Sequence, residues 1–127
     1  MTRKKVLLIE DEEDIREIAS LSLESIGGWE TILASDGRLG IEQARLHRPD
    51  AILLDVMMPG MDGPTTLTCL RSTPETRDIP VIFMTAKVMS SERSKLAGLG
   101  VQGFIAKPFD PLTLPAEIRA VLGWSRS

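Results

Sequence analysis

Five side chains in this sequence have types and positions that could do chemistry together: Glu10, Asp11, Asp55, Thr85 and Lys107. Each stands at the end of a short apolar run. Glu10 and Asp11 follow Val6-Leu7-Leu8-Ile9, and Asp55 closes Ala51-Ile52-Leu53-Leu54. Thr85 follows Pro80-Val81-Ile82-Phe83-Met84, and Lys107 follows Gly103-Phe104-Ile105-Ala106. Carboxylates alone would make a metal site. Oxygen-only donors with room for water suit Mg²⁺, and the backbone carbonyl of Met57, two residues past Asp55, would complete the set. The added hydroxyl and ammonium point to phosphate chemistry. Phosphoryl transfer needs an in-line nucleophile and cationic support for the equatorial oxygens. Asp55 would be the nucleophile and would form an acyl phosphate. Mg²⁺ and Lys107 would neutralise the oxygens, and the Thr85 hydroxyl would donate to one of them.

These residues meet only if the apolar runs lie side by side. Between the runs the sequence has helical spacing. Ile15, Ile18, Ala19 and Ile26 recur at helix period, and Gly27-Gly28 stops them. Asp36-Gly37 opens a second helix through about His47, before Pro49, and Pro64 marks the first turn of a third. A fourth helix runs to about Leu99. A fifth is predicted over Leu112 to Leu122, with Asp110 as N-cap and Pro111 at its first position. Pro115 fits that helix poorly, and either delays the start to about Thr113 or kinks the first turn. Thr31-Ile32-Leu33-Ala34 supplies the remaining strand.

Strands that are apolar throughout, separated by helices, imply a parallel sheet covered on both faces. Right-handed crossovers with one reversal give a doubly wound α/β fold. In the order 2-1-3-4-5, strands one and three are neighbours about 4.8 Å apart. Glu10, Asp11 and Asp55 then crowd one pocket at the switch point, where such folds hold ligands, and like charges that close call for a cation.

The chain has 127 residues and a net charge of −3. It is read as a single domain over 1–127, with a core from about 4 to 123 and no linker or repeat. No basic face marks a nucleic-acid partner. Apolar runs fall far short of the roughly 20 residues that span a bilayer. The single cysteine, Cys69, allows no intrachain disulfide, and no signal peptide is evident. The expectation is a cytoplasmic protein with neither nucleic-acid nor membrane partners.

Four segments together resemble the receiver domain of two-component response regulators. They are Ile9-Glu10-Asp11-Glu12, the run from Pro49 to Gly63 around Asp55, Met84-Thr85-Ala86, and Phe104-Ile105-Ala106-Lys107-Pro108-Phe109. The likeness covers nearly the whole chain. It implies a flavodoxin- or CheY-like fold with Asp55 as phosphoacceptor and Glu10 and Asp11 as the acidic pair that holds Mg²⁺. It implies Thr85, Lys107 and the Ala86 backbone as phosphoryl-binding groups. Thr85 and Phe104 become the moving parts, and the Lys107-Pro108 bond becomes cis. The implied output face is the fourth helix, fifth strand and fifth helix. Implied partners are a histidine kinase or histidine phosphotransfer protein as donor, a downstream protein, and a second copy in a phosphorylation-dependent homodimer. A switch of this kind is no enzyme beyond catalysing its own phosphorylation and dephosphorylation. Met57 and Lys87, two residues past Asp55 and Thr85, depart from the usual pattern and are expected to set the lifetime of the phosphoryl group.

Plainer readings stand beside these. Glu10 and Asp11 could serve the dipole of the first helix, Thr85 a strand-end turn, Lys107 the surface and Phe104 the core. Trp29 and Trp124 read as packing residues, and His47 as a favourable charge at a helix end. Among other doubly wound folds, haloacid-dehalogenase-type phosphatases want Asp-x-Asp after strand one, and FMN carriers want a Ser/Thr-rich loop there. Neither is present. Three contexts stay open for the output: a stand-alone switch, a phosphorelay intermediate, or the receiver part of a longer regulator.

Overall fold

The computed structural model describes residues 3–86 and 90–125, without the side chains of 90–93. Ten elements alternate: β1 (Lys5–Ile9), α1 (Glu13–Ser25), β2 (Glu30–Ala34), α2 (Gly37–His47), β3 (Ala51–Asp55), α3 (Gly63–Ser72), β4 (Val81–Thr85), α4 (Ser90–Ala97), β5 (Gly103–Ala106) and α5 (Leu114–Leu122). The strands form one parallel sheet in the order β2-β1-β3-β4-β5, as the sequence predicts.

Side chains alternate across a strand, so consecutive apolar residues feed opposite faces. Val6 and Leu8, Leu53, Ile82 and Met84, and Ile105 face one layer, which holds Ala19 and Leu23 of α1 and Leu114 and Ile118 of α5. Leu7 and Ile9, Ile52 and Leu54, and Val81 and Phe83 face the other, with Ala44 of α2 and Leu67 and Leu70 of α3. The two-sided burial explains why these strands lack any polar alternation.

Local signals set several helix ends. Asp36 caps α2 by accepting from the Leu39 amide at 2.8 Å, and Asp62 caps α3 by accepting from Thr65 at 2.9 Å. Two expectations need correction. Of the residues whose spacing marks α1, only Ala19 is fully buried, whereas Ile18 and Ile26 are 48% and 47% exposed. The buried stripe is narrower and passes through Ser22 and Leu23. The last helix starts at Leu114, not Leu112. Thr113 holds the N-cap position in place of Asp110, and Pro115 sits in the first turn, where its missing N–H is harmless. Asp110 instead closes a turn by accepting from the Leu112 amide at 2.9 Å.

Candidate functional site

Period-two alternation carries on past the strand ends. Glu10 lies two residues after Leu8, Asp55 two after Leu53, and Lys107 two after Ile105. All three preceding residues face the α1/α5 layer, so the three polar groups are aimed to the same side. The structure brings them together there. Lys107 Nζ donates to Glu10 Oε1 at 2.7 Å and to Asp55 Oδ2 at 3.2 Å. Glu10, Asp11 and Asp55 each place a carboxylate oxygen within 4.8 Å of the others. Glu10 and Asp55 are buried, and Asp11 is half-buried.

Three carboxylates and one ammonium leave this pocket with excess negative charge. Burial pushes the Glu10 carboxyl up to about 7. The hydrogen bonds from Lys107 and the Glu12 amide pull it back only in part, and the Asp55 charge adds to the rise. For Lys107, burial works to lower the pKa. The Glu10 hydrogen bond and the Asp55 charge outweigh it and hold the ammonium above its ordinary value. Hard oxygens on a half-open acidic pocket fit Mg²⁺, which keeps waters and takes few protein carboxylates. When bound, such an ion supplies positive charge to phosphoryl oxygens.

The loops around the pocket are fixed by backbone contacts. The Glu12 amide donates to Glu10 Oε2 at 3.1 Å, and the Met57 amide donates to Asp55 Oδ1 at 3.3 Å. Arg16 Nη1 donates to the carbonyls of Glu10 and Asp11 at 2.8 and 3.0 Å, which locks the loop between β1 and α1. Nothing in the sequence singles out Arg16, since no motif marks a guanidinium that serves main-chain oxygens. Gly63 is another silent contributor. A Cβ there would lie 2.6 Å from the Asp55 carbonyl oxygen and 2.8 Å from Val56 Cα, so only glycine lets α3 start this close to the β3 end.

The remaining expected residues fall as follows. Thr85 ends β4, buried and opposite Ala106 in the register with β5, and Ala86 is exposed just beyond it. Along β4, Thr85 continues the alternation of Val81 and Phe83 and closes the strand at the same sheet edge as Asp55. Phe104 is half-buried against the same layer, its ring 6.2 Å from Phe83. The Lys107-Pro108 bond is cis. Met57 is 67% exposed at the pocket mouth. Lys87 lies outside the described residues. Beside Lys107 a groove of about 160 Å³ is lined by Ile15, Ile18, Pro108, Phe109 and Pro111. The Ser22 hydroxyl donates to the Pro111 carbonyl and ties its two walls together.

A five-stranded 2-1-3-4-5 sheet with an acidic pocket and a lysine at its switch point defines the class, and sequence comparison agrees. The chain belongs to the response regulator receiver domain family, whose pattern matches residues 6–119. It is 37% identical over 121 residues to the probable transcriptional regulator ycf27 of Guillardia theta, covering 95% of this chain and 46% of that protein. It is also 37% identical over 119 residues to the phosphate regulon transcriptional regulatory protein PhoB of Escherichia coli, covering 94% and 52%. The chain thus spans about half the length of the curated relatives it matches. Among solved structures, the chemotaxis response regulator CheY4 of Vibrio cholerae is 31% identical, with a TM-score of 0.88 over 94% of this chain and 99% of that one. The receiver domain of sensor histidine kinase PA1611 from Pseudomonas aeruginosa has a TM-score of 0.83 at 28% identity over 97% and 99%, and holds a magnesium ion in its active-site cleft. The chain is a signalling receiver, and its acidic pocket is consistent with phosphorylation of an aspartate in the presence of Mg²⁺.

Proposed function

We propose that Asp55 accepts a phosphoryl group from a phosphohistidine on a histidine kinase or phosphotransfer protein, with Mg²⁺ held by Glu10, Asp11, Asp55 and the Met57 carbonyl. One observation carries this reading: Lys107 Nζ lies between Glu10 and Asp55. It puts a fixed cation beside the one aspartate of the pocket that ends a buried strand. In the transfer, Asp55 Oδ forms a bond to phosphorus while the phosphorus–nitrogen bond of the donor breaks, and the imidazole leaves with a proton. Lys107 and the Thr85 hydroxyl, with the Ala86 amide, stabilise the phosphoryl oxygens. The reaction gives an acyl phosphate. The same pocket later serves hydrolysis, so the protein catalyses only its own modification and its reversal.

The groove of Ile15, Ile18, Phe109 and Pro111 beside Lys107 suits the donor's docking, because its exposed apolar walls adjoin the acceptor. Movement of Thr85 toward the phosphoryl group would free space for Phe104, which shares its layer, and would alter the α4-β5-α5 face for a downstream protein or a second copy. Met57, exposed at the mouth, and Lys87 set the phosphoryl lifetime. The whole chain acts as one receiver unit in the cytoplasm. Incubation with acetyl phosphate and Mg²⁺, followed by intact mass, tests the core of this. A gain of one phosphoryl group, absent in Asp55→Asn and without Mg²⁺, is expected. No gain would leave a receiver fold that binds without being phosphorylated.

A further inference from the structure

The pocket around Asp55 occupies the carboxyl ends of the strands. The opposite end carries a cavity of about 290 Å³, lined by Lys4, Trp29, Arg119, Trp124 and Ser125. Five residues of strand at about 3.3 Å each separate the two ends. Packing accounts for part of this second cavity. The two indoles meet edge to face, with centroids 5.3 Å apart at 87°, and Trp29 joins the α1/α5 core. Gly27 allows that placement, since a Cβ on it would stand 2.5 Å from the Leu23 carbonyl oxygen and 3.1 Å from the Trp29 ring.

Packing does not account for the cations. Lys4 Nζ lies 4.9 Å from the centroid of the Trp124 ring, and Arg119 Cζ lies 5.6 Å from that of Trp29. Arg3 is next to them, donating from Nη2 to the Trp29 carbonyl at 2.7 Å. Among the described residues, neither Lys4 nor Arg119 has an ion pair, and no carboxylate lines the cavity. An indole face attracts a cation but does not cancel its charge. The chain as a whole carries −3, so three positive residues gathered here run against the background. Cations gathered at one cavity with no counter-charge among the described residues make a place where an anion is favoured.

The walls narrow the choice of anion. Guanidinium and ammonium groups together suit phosphate oxygens. Trp124 is only half-buried, so part of its ring is open to a flat apolar partner. The volume, about 290 Å³, lies just under the usual range for ligand sites, about 300–1,000 Å³, which suits one small nucleotide and not a polymer. We propose that this cavity is a second, non-catalytic ligand site, for a small phosphate-bearing aromatic molecule of the nucleoside monophosphate class. Lys4 and Arg119 take the phosphate, and the ring lies against the open part of Trp124. The proposal is independent of phosphorylation at Asp55.

The chain has two tryptophans, both here, so indole fluorescence reports on this cavity. The test is titration of the full chain with AMP, in chelator to keep Mg²⁺ away, read by tryptophan emission and by calorimetry. Inorganic phosphate and adenosine are the comparison ligands. Saturable AMP binding is expected, with both comparison ligands at least about tenfold weaker, and a loss of about tenfold in Lys4→Gln or Arg119→Gln, the scale of one charge-assisted hydrogen bond. Lys4 is exposed, and an unchanged urea-unfolding midpoint shows that Lys4→Gln is folded, whatever happens at Asp55. Three results would each overturn the proposal: no calorimetric binding of AMP up to millimolar concentration, AMP binding undiminished in both variants, or inorganic phosphate binding as tightly as AMP.

Discussion

Replacing Glu10 with Gln should stabilise the protein above neutral pH and destabilise it in acid. The carboxyl is fully buried, and its pKa is pushed up to about 7 from an ordinary 4.5. A folded-state pKa above the unfolded one means that the native state binds more protons between those values. Stability therefore falls as pH rises through that window and stays low above it. At about 1.4 kcal/mol per pKa unit, ionised Glu10 costs the metal-free protein on the order of 3 kcal/mol at pH 8. Gln removes that cost but has one carbonyl where Glu10 has two acceptors, for Lys107 and for the Glu12 amide. The lost contact costs about 1 kcal/mol. The net gain at pH 8 is about 2 kcal/mol, or roughly 6–10 °C in Tm for a domain of this size. At pH 4.5 wild-type Glu10 is protonated, the gain vanishes, and the variant is less stable by about 1 kcal/mol. The assay is urea unfolding of both proteins in chelator across this pH range. Mg²⁺, in contrast, should stabilise wild type by about 2.7 kcal/mol at a hundredfold excess over Kd, and the variant by far less. Stability curves that stay parallel across pH, or a variant weaker than wild type at pH 8, would refute the burial argument.

Three further changes test the geometry. Lys107→Met leaves Glu10 and Asp55 without the cation they share. It should lower stability at pH 8 by about 3 kcal/mol in urea unfolding and slow phosphorylation by acetyl phosphate; an unchanged midpoint would contradict the ion-pair assignment. Gly63→Ala puts a methyl 2.6 Å from the Asp55 carbonyl oxygen. A loss of about 1–3 kcal/mol and slower phosphorylation are expected, and a wild-type rate would mean that the turn does not position Asp55. Met57→Asn replaces an exposed thioether at the pocket mouth with a group that can orient water. The phosphoryl lifetime, timed by mass loss of the modified form, should change several-fold, and an equal lifetime would remove Met57 from the hydrolytic route.

The sequence revealed most about what depends on local pattern and least about what depends on partners far along the chain. The strands were legible because continuous apolar runs bounded by helices fit only a sheet buried on both faces. The caps at Asp36 and Asp62 are local chemistry. The start of α5 lies two residues past the predicted Leu112 because two signals compete. Pro111 and Asp110 resemble a helix entrance, but Pro115 tolerates only a first-turn position, and the burial of Leu114 and Ile118 against the sheet decides between them. The outward turn of Ile18 was illegible for a different reason. Its apolar spacing serves the groove beside Lys107 and not the core. Arg16 and the cations over the two indoles carry no motif at all, since their partners are main-chain oxygens and distant rings.

The site itself is a consequence of register. Ile9 pairs with Leu54, Asp55 with Met84, and Thr85 with Ala106. A slip of one residue in β5 would turn Ile105 out of the core and move Lys107 to the other side of the sheet, away from Asp55. The apolar alternation that buries Ile105 with Met84 and Leu53 is therefore also what holds the lysine between Glu10 and Asp55. In this chain the core and the chemistry are fixed by one pattern. That is why the acidic pocket could be read from residue types at strand ends, while its electrostatic strain, concentrated on Glu10, needed the three-dimensional structure.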